Sequence, residues 1–302
     1  MLVENARLSI VLGSHSFAAA SRMFAPETRE LAWLLYCWCR AADDLTDGQE
    51  AGHTAVAPAD PRAEQARLVA LTTAALDSDA PVPLPFMALR TVARETALPR
   101  RWIFDHLEGF RMDAEAWRPH ETDELLRYCY HVAGSVGLMM AIIMGVPVND
   151  DDTLDRACDL GIAFQLANIA RDIVADAGVG RVYLPGAWLA EAGIAPEDLA
   201  QPIHRAQLAR WARRLIDLAG AYRISARIGA ARLPRRSRLA VLAADAIYGA
   251  IGDRVVSRGV TAWDQRVRIG SAGKLALLGV AIARSGFTPK LTRRPGLWTP
   301  PR

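Results

Sequence analysis

Two groups of acidic residues, Asp43-Asp44-Leu45-Thr46-Asp47 and Asp172-Ile173-Val174-Ala175-Asp176, stand out along the chain. A helix repeats every 3.6 residues, so Asp43 with Asp47, and Asp172 with Asp176, project from one face as paired oxygen donors. Asn168, one turn before Asp172, lengthens the second row to three. Like charges four apart weaken a helix unless a cation lies between them. Hard cations such as Mg²⁺ or Mn²⁺ take oxygen ligands, and Mg²⁺ is commonly held by one or two carboxylates plus substrate phosphates. Two such rows facing one cavity would bind two diphosphates. Arg40 precedes the first row and Arg171 adjoins the second, each placed to pair with a carboxylate or to grip a phosphate.

The second row lies in the stretch Ala163 to Asp176, where the polar residues Gln165, Asn168, Asp172 and Asp176 step by three or four through an otherwise apolar helix. A solvated helix would carry many more charges, so this thin stripe reads as the lining of a cavity. Beyond it, Gly178, Gly180, Arg181, Val182, Tyr183, Leu184 and Pro185 have the composition of a flap over a charged ligand. The first row follows Leu31 to Cys39, a buried helix that delivers Arg40, Asp43, Asp44 and Asp47 to its C-terminal end. Helix C-termini disfavour anions, a cost that a functional site tolerates.

The remainder of the chain reads as helices over 4–21, 27–47, 61–77, 84–96, 99–115, 121–145, 150–176, 204–229, 235–258 and 263–284, with loops at 48–60, 177–188 and 193–203. One all-α domain over 1–284 is expected, with an irregular and mobile tail over 285–302. The 302 residues are 51% apolar and 23% charged with a net charge of +3, which fits a folded globular protein and makes no demand for nucleic acid. Arginines gather at 205–214, at 232–238 and in the tail, as solvated helix faces or as contacts with an anionic membrane. Cys37, Cys39, Cys129 and Cys158 show neither metal spacing nor a disulfide framework and read as buried thiols in a reducing cytoplasm. Residues 129–148 are apolar enough to tempt a membrane assignment, but are read as a core helix. The first residues lack the basic start and apolar block of a signal peptide.

In order along the chain, Ser14-His15-Ser16-Phe17, Arg40 to Asp47, Tyr128 to Gly137, Gln165 to Asp176 with Arg181 to Pro185, and Asp264-Gln265-Arg266 with Lys274 resemble the motifs of the squalene/phytoene synthase family. Leu107 to Asp113 adds a weaker likeness. The resemblance implies an isoprenoid-synthase-type helical bundle with a central cavity. It also implies a head-to-head prenyltransferase. The wording of Tyr128–Gly137 and Asn168–Pro185 is most similar to the bacterial phytoene-forming members. For these, two geranylgeranyl diphosphates join through prephytoene diphosphate to phytoene, with two diphosphates released.

By that match Asp43, Asp44, Asp47, Asn168, Asp172 and Asp176 hold Mg²⁺ or Mn²⁺. Ser14, Ser16, Arg40, Gln165, Asn168 and Arg266 bind substrate, and Tyr128, Arg171, Tyr183 and Tyr248 act near the carbocation. His15 stands where the family usually has lysine. Ala133, Gly134 and Gly137 either make room for a prenyl chain or pack helices. No NADPH is expected. Neither nucleic acid nor a stable oligomer is expected, and the enzyme is placed in the cytoplasm with peripheral contact at the inner membrane face. A C30 synthase acting on farnesyl diphosphate, and a non-catalytic member serving membrane-complex assembly, remain alternatives. The five aspartates argue against the second.

Overall fold

The computed structural model describes residues 1–47, 59–287, 289–290 and 292–301; the side chains of His15, Ser16 and Asp47 also lie outside the described part. Among the described residues the regular structure is helical throughout. Its α-helices are α1 Leu2–Gly13, α2 His15–Ser21, α3 Pro26–Asp47, α4 Pro61–Asp77, α5 Leu84–Thr96, α6 Arg100–Ala114 and α7 Thr122–Cys129. Then follow α8 Ser135–Ile143, α9 Asp151–Gly178, α10 Gly186–Ala192, α11 Arg205–Ala230, α12 Arg235–Arg258 and α13 Ser271–Ser285. A π-turn over Tyr130–Gly134 joins α7 to α8, a feature that recurs where a helix passes a functional site.

The bundle is built around α9, which packs against α11 along its length and crosses α8 and the π-turn. That crossing is close because glycine is used on both sides. A Cβ on Gly161 would sit 2.2 Å from the Ala133 carbonyl oxygen, and one on Gly137 would sit 2.4 Å from that of Ala157. Gly134 likewise faces the Cys158 sulfur at 2.9 Å. Gly134 and Gly137 are therefore packing notches rather than space for a chain, whereas Ala133 also lines the cavity. The apolar stretch Thr122–Ile143 is long and apolar enough to cross a membrane, but it contributes Leu125, Cys129, Tyr130, Leu138 and Met139 to the main core.

Several expected boundaries move. The predicted helix 4–21 breaks at Ser14, whose extended backbone starts α2 and whose hydroxyl caps it by accepting from the Phe17 N–H at 3.3 Å. Gly13 just before it lies against the Tyr36 hydroxyl, where a Cβ would be only 2.4 Å away. The short helix α10, not expected, buries Trp188 and Leu189 and is tied down by Gly186 N–H to Pro119 O at 2.8 Å. Seven residues are too few for periodicity to reveal.

The last helix begins at Ser271, not 263. Residues 262–270 form a strap instead, pinned to α9 by the Trp263 indole donating to Ala170 O at 3.2 Å. The tail is irregular as expected but is anchored, not loose. Arg294 donates to both oxygens of the fully buried Asp159, at 2.8 and 2.5 Å, and to Asp155 at 3.0 Å. Arg156 reaches the Thr292 carbonyl at 2.7 Å, and Trp298 N–H donates to the Tyr222 hydroxyl at 3.1 Å.

Candidate active site

α2, α3, α6, α8, α9 and α12 together enclose a cavity of about 580 Å³. Its deep end is apolar, made by Phe24, Ala32, Met140, Met144, Leu233, Ala240 and Val241. Its other end is lined by Arg40, Asp43, Asn168, Arg171, Asp172, Asp176, Arg181 and Arg266, so both acidic rows reach the same space. Gln165 also lines it. Ser14 does not, its hydroxyl being spent on the helix cap. The expectations for Ser16, His15 and Asp47 concern side chains outside the described part.

The second row is a network of charge. Asp172 accepts from Arg171 Nε at 2.9 Å and from Arg266 Nε and Nη2 at 3.1 and 2.8 Å. Burial works to raise its pKa, but the Arg171 guanidinium, then that of Arg266, outweighs burial and holds the carboxyl below its ordinary range. Asp176, a turn further on, opens to the cavity yet is surrounded by protein. Burial first, and then the charge of Asp172, push it up to about 7 against Arg181 and Arg171. Such a carboxylate is under-compensated by its surroundings and calls for a cation. Asn168 leans toward Gln165, its Nδ2 3.4 Å from the Gln165 oxygen. The flap is closed onto α9 by Arg181 N–H donating to Asp176 O at 2.9 Å.

In the first row Arg40 takes most of the attention of Asp44, with Nε to Oδ1 at 3.0 Å and Nη2 to Oδ1 at 2.8 Å, and lies 3.6 Å from Asp43. Asp43 lines the cavity and Asp44 does not, which makes Asp44 an orienting partner of Arg40 rather than a ligand. Between the rows lies an aromatic wall. Tyr248 stacks on Phe164 with centroids 4.0 Å apart and on Phe17 at 5.6 Å, and Phe17 meets Tyr36 at 6.4 Å. Tyr248 and Tyr36 are both held above the ordinary phenol range by burial, so their hydroxyls stay neutral.

Tyr128 and Tyr183 also line the cavity, stacked at 4.7 Å, but their hydroxyls turn onto one carboxylate. Asp113 accepts from Tyr128 at 3.0 and 3.1 Å and from Tyr183 at 2.9 Å. Burial, and next the charge of Asp113, raise both phenols well above their usual range, so they remain donors. Asp113 is the residue that sequence reasoning did not assign. Its signal was present: His106, Phe110 and Asp113 step along α6 at i, i+4 and i+7, and all three line the cavity. Phe17, Tyr36 and Phe164 were likewise not singled out, since aromatic residues on apolar helices read first as core.

Among the described residues no group of three or more Asp, Glu, His or Cys could hold a metal ion by itself. The donor set instead suits a hard cation carried on one or two carboxylates and completed by phosphate oxygens and water.

Comparison with known proteins agrees with this site. Residues 10–272 match the squalene/phytoene synthase family. The 15-cis-phytoene synthase of Paracoccus sp. (strain N81106 / MBIC 01143) is 47% identical over 99% of this chain and 98% of its own length. That of Enterobacter agglomerans is 48% identical over 93% and 95%. Among solved structures, a dehydrosqualene synthase crystallised with a ligand superposes with a TM-score of 0.83 at 26% identity, covering 93% of this chain and 95% of that one. A squalene synthase from Alicyclobacillus acidocaldarius shares the fold at 0.72, with 23% identity and coverage of 85% and 95%. With its helical bundle, its two acidic rows on one cavity and a family match over most of its length, the chain belongs to the squalene/phytoene synthase family.

Proposed function

We propose that this protein is a 15-cis-phytoene synthase type of prenyltransferase. It joins two geranylgeranyl diphosphates head to head through prephytoene diphosphate to phytoene, releasing two diphosphates. The observation that carries this reading is a cavity that is charged at one end and apolar and aromatic at the other, in a chain nearly half identical along its length to proteins of that name.

Diphosphate leaves only when its charge is neutralised. Mg²⁺ or Mn²⁺ held by Asp43 on one side and by Asn168, Asp172 and Asp176 on the other would supply Lewis-acid neutralisation. Arg40, Arg171, Arg181 and Arg266 point into the same end and can grip phosphate oxygens as they now grip carboxylates. As a diphosphate arrives, Arg266 and Arg171 can exchange Asp172 for phosphate, which frees that carboxylate for the cation. The first allylic cation forms against Phe17, Tyr36, Phe164 and Tyr248, whose faces stabilise positive charge and whose bulk excludes water. The double bond of the second substrate then attacks. Asp113 holds Tyr128 and Tyr183 with hydroxyls fixed and protonated, so neither competes as a nucleophile. The last proton can leave to the released diphosphate.

Purified protein with Mg²⁺ and geranylgeranyl diphosphate, without any nicotinamide, should form a C40 hydrocarbon detected by mass. A C30 product from farnesyl diphosphate alone would replace this reading with the shorter-chain one. No product from either, with the aspartates intact, would favour the non-catalytic role.

A further inference from the structure

The helix α13 is only half used by the fold. Leu278 and Ala281 pack against Leu242 and Ala243 of α12, while the opposite side presents Leu275, Ile282 and Phe287 at 71%, 54% and 75% exposure. At 100° per residue these fall within one arc, and residues 275–283 carry no charge. A contiguous apolar face left in water marks a binding surface.

The charge around it selects the partner. After Asp264 the chain has eight basic residues and no acidic one, while its total is +3, so the preceding 264 residues carry −5. Arg284, at the end of α13, joins Arg223 and Arg227 about a single carboxylate. Asp245 accepts from Arg223 Nε at 2.6 Å and Arg227 Nε at 2.7 Å, and Arg284 stands 3.5 Å away. Burial and the neighbouring Arg227 make the protonated form of Arg284 less comfortable than usual, which is the mark of a cation-rich corner short of anions. Self-pairing of this face about a two-fold axis would set the same basic rim against itself. An apolar face bordered by arginines fits the interface of an anionic bilayer.

We propose that α13 docks on an anionic lipid bilayer, its Leu275–Ile282–Phe287 face entering the interface and Arg284 with Arg223 and Arg227 meeting lipid phosphates. The other side of α12, through Ala240, Val241 and Tyr248, is cavity wall, so docking holds the bilayer one helix away from the space proposed for the prenyl chains.

The test is flotation of the full chain with vesicles of phosphatidylcholine alone and of phosphatidylcholine with phosphatidylglycerol. The parent should float with the second, less so at high salt, and hardly at all with the first. Leu275→Glu with Ile282→Glu should cut the bound fraction about tenfold or more, and Arg284→Gln about fivefold. Both variants should keep the parent's melting temperature and its turnover of detergent-dispersed substrate. Flotation with neither vesicle, or variants that float like the parent, would overturn the proposal. So would light scattering that shows a dimer which the Glu pair dissociates. Flotation needs no turnover, so its failure and that of the proposed reaction are separable.

Discussion

Asp113 illustrates how one carboxylate can organise a wall of the cavity without binding metal or phosphate. It accepts from two stacked tyrosines, and its charge also helps to push Asp176 up. In Asp113→Asn the amide nitrogen cannot accept, so one phenol loses its partner, costing about 1–2 kcal/mol of stability. Turnover should fall at least tenfold and should not recover as Mg²⁺ is raised, whereas Asp172→Asn should recover in part. Steady-state rates across a Mg²⁺ series, with folding checked by circular dichroism, decide this.

His106 makes a second prediction at the same scale. Burial lowers its pKa to about 4 from 6.5, and its Nδ1 lies 3.2 Å from His131 O. The unfolded chain therefore takes up a proton below pH 6.5 that the folded chain refuses until about 4. The associated stability is complete above 6.5 and is lost as pH falls through that window, amounting to about 2 kcal/mol by pH 5. Urea midpoints at pH 7.5 and 5 should diverge more in the parent than in His106→Phe.

At the scale of elements, the crossing of α9 with α8 and the π-turn sets the distance between the second acidic row and the rest of the cavity. Gly161 meets backbone rather than a side chain that could swing aside. Gly161→Ala should thus cost about 3 kcal/mol and blunt activity as α9 shifts. Gly220, within α11, faces open space and has helical backbone, so Gly220→Ala should raise stability by about 1 kcal/mol with activity unchanged. Denaturant midpoints of the two variants should therefore move in opposite directions. The strap that replaces the first turns of the expected last helix belongs to this scale too. It carries Arg266 back to Asp172, a pairing across 94 residues.

For the whole molecule, the tail acts as a clasp over the N-terminal half of α9. Removing the Arg294 side chain leaves Asp159 buried with its main partner gone, and burial already lifts that carboxyl above its ordinary range. Arg294→Ala should cost about 3 kcal/mol or more in chemical denaturation. Arg294→Met combined with Asp159→Asn should recover most of the loss, which would separate an unpaired charge from lost packing.

What the sequence alone determined was periodic: the helices, the stripe of Gln165, Asn168, Asp172 and Asp176, and the pairing of two acidic rows follow from local spacing, because side-chain direction on a helix repeats every 3.6 residues. Tertiary structure decided what spacing cannot encode. It made Asp44 an orienting partner of Arg40 and Ser14 a cap, because the cavity faces only one side of each helix. Gly134 and Gly137 became notches, since only the arrival of α9 shows which side is crowded. Asp113 became the holder of two phenols that lie 15 and 70 residues away in the chain. Each of these depends on which distant surfaces meet, and that is settled by packing of the whole bundle rather than by any one segment.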